Sequence, residues 1–403
     1  MKNNNDEEFQ FLKIKQDTSN SQINKNQNEE ISNTKEEEKK IRNSSFEILR
    51  IILMNFIILS HILFHTETLP KLDEKNFTKI INGRYIFLRI LSNYGKFGDI
   101  TFMMISGYFS IKRLKFHYIK FILIATETYV YHYLLLFLSF KLKDIYKDIE
   151  LLRQKNGSIY FPLTSKLGHW FTQHYLILLI FLPYINKGLL SLSHKEYQTL
   201  IYLILIFFCI LRSLTVVYKI ENNIFLANQI IKLLLPYIIG GYISIYDLKF
   251  KKFWKIFGIV CFILTIIFEY IFENLAKYYK NYIFILWQNE LSLNINSLLL
   301  YLSSIGIICL LKDIKIYSKI INFISASVLG IYLIHANKNI SPFIYNAWFK
   351  TNDYNQENFF IRYVTKSYLI FGICLIIDII RRYTIGIIIE IILNYIIGLF
   401  KNI

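Results

Sequence analysis

Little in this chain breaks a helix or staples one segment to another. Five prolines and fifteen glycines among 403 residues leave long stretches with no helix breaker. The four cysteines, Cys209, Cys261, Cys309 and Cys374, sit far apart in apolar runs. They form no metal-ligand spacing and no disulfide pattern, so they read as small hydrophobes. Acidic residues number 29 against 46 lysines and arginines, for a net charge of +17. No basic stripe with interleaved aromatics stands outside the apolar runs, which argues against nucleic acid as a partner. Missing too are a phosphate-cradling glycine loop, a GxSxG elbow, a dinucleotide fingerprint and an HExxH pair. Strand-period alternation is absent, which excludes a β-barrel. A cleavable signal peptide is not expected, because the first forty-odd residues are polar.

What is present is apolar sequence in runs of membrane-spanning length, about 20 residues each. With 54% hydrophobic residues, the chain is expected to be an all-α polytopic transmembrane helical bundle of about ten spans. Residues 1–45, rich in Asn, Lys, Glu, Gln and Ser, are expected to be a disordered cytoplasmic tail, and 46–403 a membrane domain. The first span is placed at 46–65. A short or broken one follows at 93–113, holding Gly95, Gly98 and Gly107. Further spans are expected near 117–140, 169–186, 197–217, 227–247, 253–273, 293–311, 322–346 and 364–380. The run 384–400 either spans or lies at the interface.

Basic residues cluster in alternate loops: Lys112, Arg113, Lys115 and Lys120, then Lys187 and Lys195, Lys249 to Lys255, Lys312 to Lys319, and Arg381 with Arg382. That pattern places the N-terminus in the cytoplasm and the protein, multi-pass, in the plasma (inner) membrane. The loops 66–95 and 141–168 run against the rule.

Polar groups inside apolar runs carry the functional argument. The first span, RNSSFEILRIILMNFIILSHILFH, contains Glu47, Arg50, His61 and His65. Arg50 and His61 are eleven residues apart, roughly three helical turns, so they share a face about 16 Å apart along the axis. A buried imidazole can take a hydroxyl proton, and a guanidinium can hold phosphate or carboxylate. A core histidine bonded to its neighbour and an arginine reaching for headgroups remain the plain alternatives. His61 and His65 have metal-ligand spacing, but Glu67 is the sole third candidate in reach, and no metal is expected.

Other candidates are weaker taken singly. Ser106, Gly107 and Tyr108 in SGYF form a small-residue aromatic turn whose backbone N–H groups can meet an oxyanion, or else a tight helix contact. Lys112, Arg113 and Lys115 follow at once, as an anion mouth or as ordinary positive-inside residues. His169, Trp170, His174 and Tyr175 cluster where an interfacial aromatic belt is also expected. GIYLIH places Tyr332 and a second buried imidazole, His335, in another apolar run.

Four of these segments, in order, resemble the acyltransferase 3 family of integral membrane O-acyltransferases of bacterial surface glycans: RNSSFEILRI…ILSH, GKFGDITFMMISGYFSIKR, HWFTQHYLILLIFLPYINK and SVLGIYLIHANKNI. The similarity covers about 42–380. The resemblance implies a ten-span bundle moving an acyl group, usually acetyl, from cytoplasmic acyl-CoA to a hydroxyl of a cell-surface or lipid-linked polysaccharide. The family's first-span signature, an Arg, ten residues, then a His, falls on Arg50 and His61. By resemblance His61 is the catalytic base and Arg50 a donor-site residue. Ser106, Gly107, Tyr108, Trp170, Tyr332 and His335 are carried over as substrate or donor contacts, beside Lys112 and Arg113. No permanently bound cofactor is implied; acetyl-CoA or another acyl-CoA is the donor substrate, and lipids and a glycan are the other partners. Two departures stand out. The family's paired arginines after the second span are replaced by Lys112, Arg113 and Lys115, and Asp99 puts an acid where a small or apolar residue is usual. The competing class is a transporter or flippase of a lipid-linked or anionic sugar, which also uses buried cations and broken spans.

Overall fold

Apolar runs too long to stay in water fold here as helices, since only a helix satisfies its own backbone in an apolar surround. The computed structural model describes residues 43–65, 73–145, 169–218, 229–246, 251–341, 343–347 and 357–389, with Ile391 and Tyr395. Residues 1–42 of the expected tail, most of the 141–168 loop and about half of the run 384–400 lie outside these residues. Among the described residues there is no strand.

Among the described residues, twelve helices carry the architecture. They are α1 (Ser45–His65), α2 (Gly83–Ser110), α3 (Tyr118–Ile145), α4 (Trp170–Ser191), α5 (His194–Val217, with a π-helical stretch at Leu205–Leu211) and α6 (Gln229–Ile245). Then come α7 (Lys251–Tyr279), the short α8 (Ile283–Gln288), α9 (Leu298–Leu311), α10 (Lys319–Ser325), α11 (Val328–His335) and α12 (Phe359–Tyr383). Six of them, α1, α3, α4, α5, α7 and α12, are long and apolar enough to cross a membrane. Shorter apolar helices, α6, α9 and the α10–α11 pair, complete the bundle with α2.

The second expected span differs most. It is neither short nor broken: α2 is one 28-residue helix that begins ten residues earlier. The Asn82 side chain accepts the Tyr85 N–H and caps the start. Its charges mask the apolar pattern but are paired, Arg89 with Asn289 at 2.7 Å and Lys96 with Asp99 at 3.7 Å. The expected span 322–346 is in turn two helices, parted at Ala326–Ser327 and ending at His335. A further insertion, α8 and the π-helical turn Asn289–Leu293, packs between α7 and α9.

Helix α2 is central, packing α1 on one flank and α6 on the other. Its glycines permit this. A Cβ at Gly107 would strike the Tyr237 carbonyl of α6, and one at Gly240 the Met104 carbonyl of α2. The two backbones therefore touch, as small residues allow in apolar bundles. Gly258 and Gly306 do the same for α7 and α9. At one end of the bundle Ser44 N–H bonds the Ile316 carbonyl (2.7 Å), Ser45 bonds the Leu311 carbonyl and Asn186 binds the turn after α2. At the other, Lys277 holds the Ile81 carbonyl (3.1 Å) and Phe87 meets Phe360.

Candidate active site

His61 lies one turn from the end of α1 and His335 is the last residue of α11. Their rings stand 5.2 Å apart, centroid to centroid. His335 is fully buried, and its Nδ1–H donates to the Ile331 carbonyl at 2.7 Å, so the basic lone pair is on Nε2. Two apolar runs from opposite ends of the sequence thus deliver two imidazoles to one spot.

Aromatic rings continue from this pair. Tyr332, one turn before His335, has its ring 6.0 Å from it. Phe171 of α4 meets Tyr332 edge-on at 5.9 Å and stacks on Tyr175 at 6.1 Å. The Tyr175 hydroxyl is 3.2 Å from Ser106 Oγ and accepts a hydrogen bond from Lys120 Nζ, also at 3.2 Å. Trp170 packs edge-on against Phe171 at 5.8 Å. Ser106, Trp170, Tyr332, His335 and His61 are thereby joined in one continuous file of contacts.

That file ends at a pocket lined by Ser110, Arg113, Lys115, His117, Lys120 and Asn186. Asn186 is fully buried and shapes this mouth. Its Nδ2 donates to the Ser110 and Arg113 carbonyls at 2.9 and 2.8 Å, while Tyr237 donates to its Oδ1. The turn carrying Arg113 is therefore fixed by α4 and α6 together. Lys112 is exposed beside this pocket and does not line it.

Of the two readings of SGYF, the tight helix contact is the one the fold forms, and not a turn. Ser106 and Gly107 sit inside α2, so their backbone N–H groups serve the helix and cannot meet an oxyanion. Gly107 serves the crossing with α6. Tyr108 stacks on Phe46 at 5.2 Å, at the Arg50 end of α1. Arg50 itself pairs with Glu47 at 2.7 Å and stands 5.9 Å from the Phe109 ring; Ser325 donates to the other Glu47 oxygen at 2.5 Å. Arg50 and His61 thus belong to the two ends of their stripe, each with partners of its own. The side chain of His65 and residue Glu67 lie outside the described residues. Among those described, no group of three or more His, Cys, Asp or Glu side chains is arranged to hold a metal ion.

Asn186, His132 and Asn337 were not singled out by sequence, and Lys120 only as a basic loop residue. Asn337 stands two residues past His335 in the segment HAN. Asp99 is buried on α2, pairs with Lys96 at 3.7 Å, and is near enough to Tyr332 to act on it electrostatically.

A family model described as an acyltransferase domain matches residues 43–379. The chain belongs to the acyltransferase 3 family. The match spans every segment just described, from the start of α1 to the last turns of α12, and with the apolar helices it makes this protein a membrane acyltransferase. No curated protein and no solved structure matches the chain.

Proposed function

We propose that this acyltransferase moves an acyl group, acetyl by preference, from acyl-CoA to a hydroxyl of a cell-surface or lipid-linked polysaccharide. The observation that carries this reading is the unbroken file from the basic pocket to the paired imidazoles. Arg113, Lys115 and Lys120 offer cationic groups for the phosphates of the donor at the end that the positive-inside pattern assigns to the cytoplasm. Tyr175, Ser106, Phe171 and Tyr332 line the way inward, where the thioester meets the acceptor beside His61 and His335.

In this mechanism His61 takes the acceptor's hydroxyl proton as the oxygen attacks the thioester carbonyl. The C–S bond then breaks, its electron pair goes to sulfur, and the thiolate recovers the proton from the imidazolium. General-base help of this kind contributes about 10²–10⁴-fold. Arg50, held by Glu47 near the chain's entry into the membrane, supports the donor end.

The test is transfer of radiolabelled acetyl from acetyl-CoA to membrane glycan by reconstituted protein. His61→Ala and Arg50→Ala are expected to insert and fold yet lose transfer. Full activity in His61→Ala ends the base assignment. Movement of a lipid-linked sugar across the bilayer without acetyl turnover favours the transporter class instead.

A further inference from the structure

With the Ser106 and Gly107 N–H groups committed to α2, the tetrahedral adduct formed beside His61 needs another donor for its oxyanion. One is preset by a hydrogen-bond relay. The Asn339 N–H donates to Asn337 Oδ1 at 2.9 Å, which fixes which end of that amide is nitrogen. Asn337 Nδ2–H then points at His169 Nε2, 3.5 Å away. A nitrogen that accepts carries no proton, so the neutral His169 ring holds its proton on Nδ1. That Nδ1 is buried and has no hydrogen-bond partner among the described residues.

His335, His132 and Lys338, none of them an acid, act on His169 directly, while the buried acid Asp99, which acts on the neighbouring Tyr332, is paired with Lys96. The ring lies 5.5 Å from Tyr332, and Tyr332 lies against His335, which faces His61. Thr172, in the first turn of α4 just after the N-cap His169, adds a second buried hydroxyl with no partner among the described residues.

We infer that His169 Nδ1–H, supported by the Thr172 hydroxyl, is the oxyanion donor of this acyl transfer and that Asn337 is the positioning residue that sets its tautomer. The inference rests on the thioester reading given above. As the acceptor oxygen bonds to the carbonyl carbon, the π pair moves onto the carbonyl oxygen, which takes the hydrogen bond from Nδ1–H. When the C–S bond breaks, that pair reforms the carbonyl and the bond is released. A neutral imidazole donates without surrendering its proton, so His61 alone handles the proton balance.

The test is steady-state kinetics of the full-length reconstituted protein, with acetyl-CoA as donor and membrane glycan as acceptor. His169→Ala is expected to lower kcat by about 10²–10³-fold, with KM for acetyl-CoA nearly unchanged. His169→Gln, which keeps an N–H donor, recovers part of that loss. Asn337→Asp leaves the ring in place but draws the proton to Nε2, so it also lowers kcat; it carries the test should His169→Ala fail to fold. Thr172→Val gives a smaller loss. Wild-type kcat in His169→Ala or in Asn337→Asp overturns the inference, as does a loss in His169→Ala expressed wholly in KM. If His61→Ala is inactive while His169→Ala is not, only the oxyanion assignment falls. Full activity in His61→Ala brings down the base reading, whatever His169 does.

Discussion

At the scale of single residues, the sequence marks which side chains are costly but not what they touch. A histidine in an apolar run is conspicuous, and His61 and His335 were both visible as candidates. Their pairing was not, because it depends on how α1 and α11 pack across nearly the whole chain. Arg212 and Glu290 illustrate the converse. In sequence they stand 78 residues apart, whereas in the fold they form a buried ion pair, with Asn294 donating to the second Glu290 oxygen at 3.1 Å. Removing one partner strands the other charge in an apolar interior. Arg212→Ala is therefore expected to cost about 3–5 kcal/mol of stability, while the double change Arg212→Met with Glu290→Gln recovers most of it. Thermal unfolding of the detergent-solubilised protein checks this, and equal losses in single and double variants would show that the pair matters for more than charge.

At the scale of elements, glycine is what sequence reads worst. In an apolar run it looks the same whether it breaks a helix or lets two helices touch. For Gly95, Gly98 and Gly107 the second holds: α2 runs through all three, with Gly95 against Ser60, Gly98 against Ile57 and Gly107 against Tyr237. The distinction lies on the neighbouring helix, so no local pattern contains it. It does make a differential prediction. Gly107→Ala and Gly240→Ala push a methyl into a backbone carbonyl across the α2–α6 crossing and are expected to destabilise by about 1–3 kcal/mol. Gly188→Ala in α4 and Gly372→Ala in α12 meet no atom within 4 Å and are expected to be neutral, or to stabilise by up to about 1 kcal/mol through helix propensity. Melting temperatures of the four variants, compared side by side, decide it; four equal shifts would mean that the crossing tolerates a methyl. The insertion Ile283–Leu293 escaped for a related reason. Its Gln288, Asn289 and Ser292 look like a solvated stretch, yet Gln288 donates to Glu273 at 3.0 Å and Ser292 to Glu269 at 3.3 Å inside the bundle.

At the scale of the whole molecule, fold class and approximate span number were legible because apolar length and loop charge are summed over many residues, and single misreadings cancel. Sidedness is the property on which the donor assignment turns. The pocket with Arg113, Lys115 and Lys120 lies at the end where Ser44, the turn after α4 and the Lys312–Ser318 segment meet. If that end faces the cytoplasm, acyl-CoA reaches the pocket directly; if it faces outward, no cytoplasmic donor can. All four native cysteines are buried, so a membrane-impermeant thiol reagent has little background to report. Exposed single cysteines then read the topology. Ser191→Cys and Lys315→Cys are expected to react only when the reagent is admitted to the cytoplasmic face, and Lys75→Cys and Glu357→Cys only from the opposite face. The reverse pattern would detach the pocket from acyl-CoA while leaving the fold intact, and the file of contacts leading to His61 would then have to serve a substrate arriving from outside.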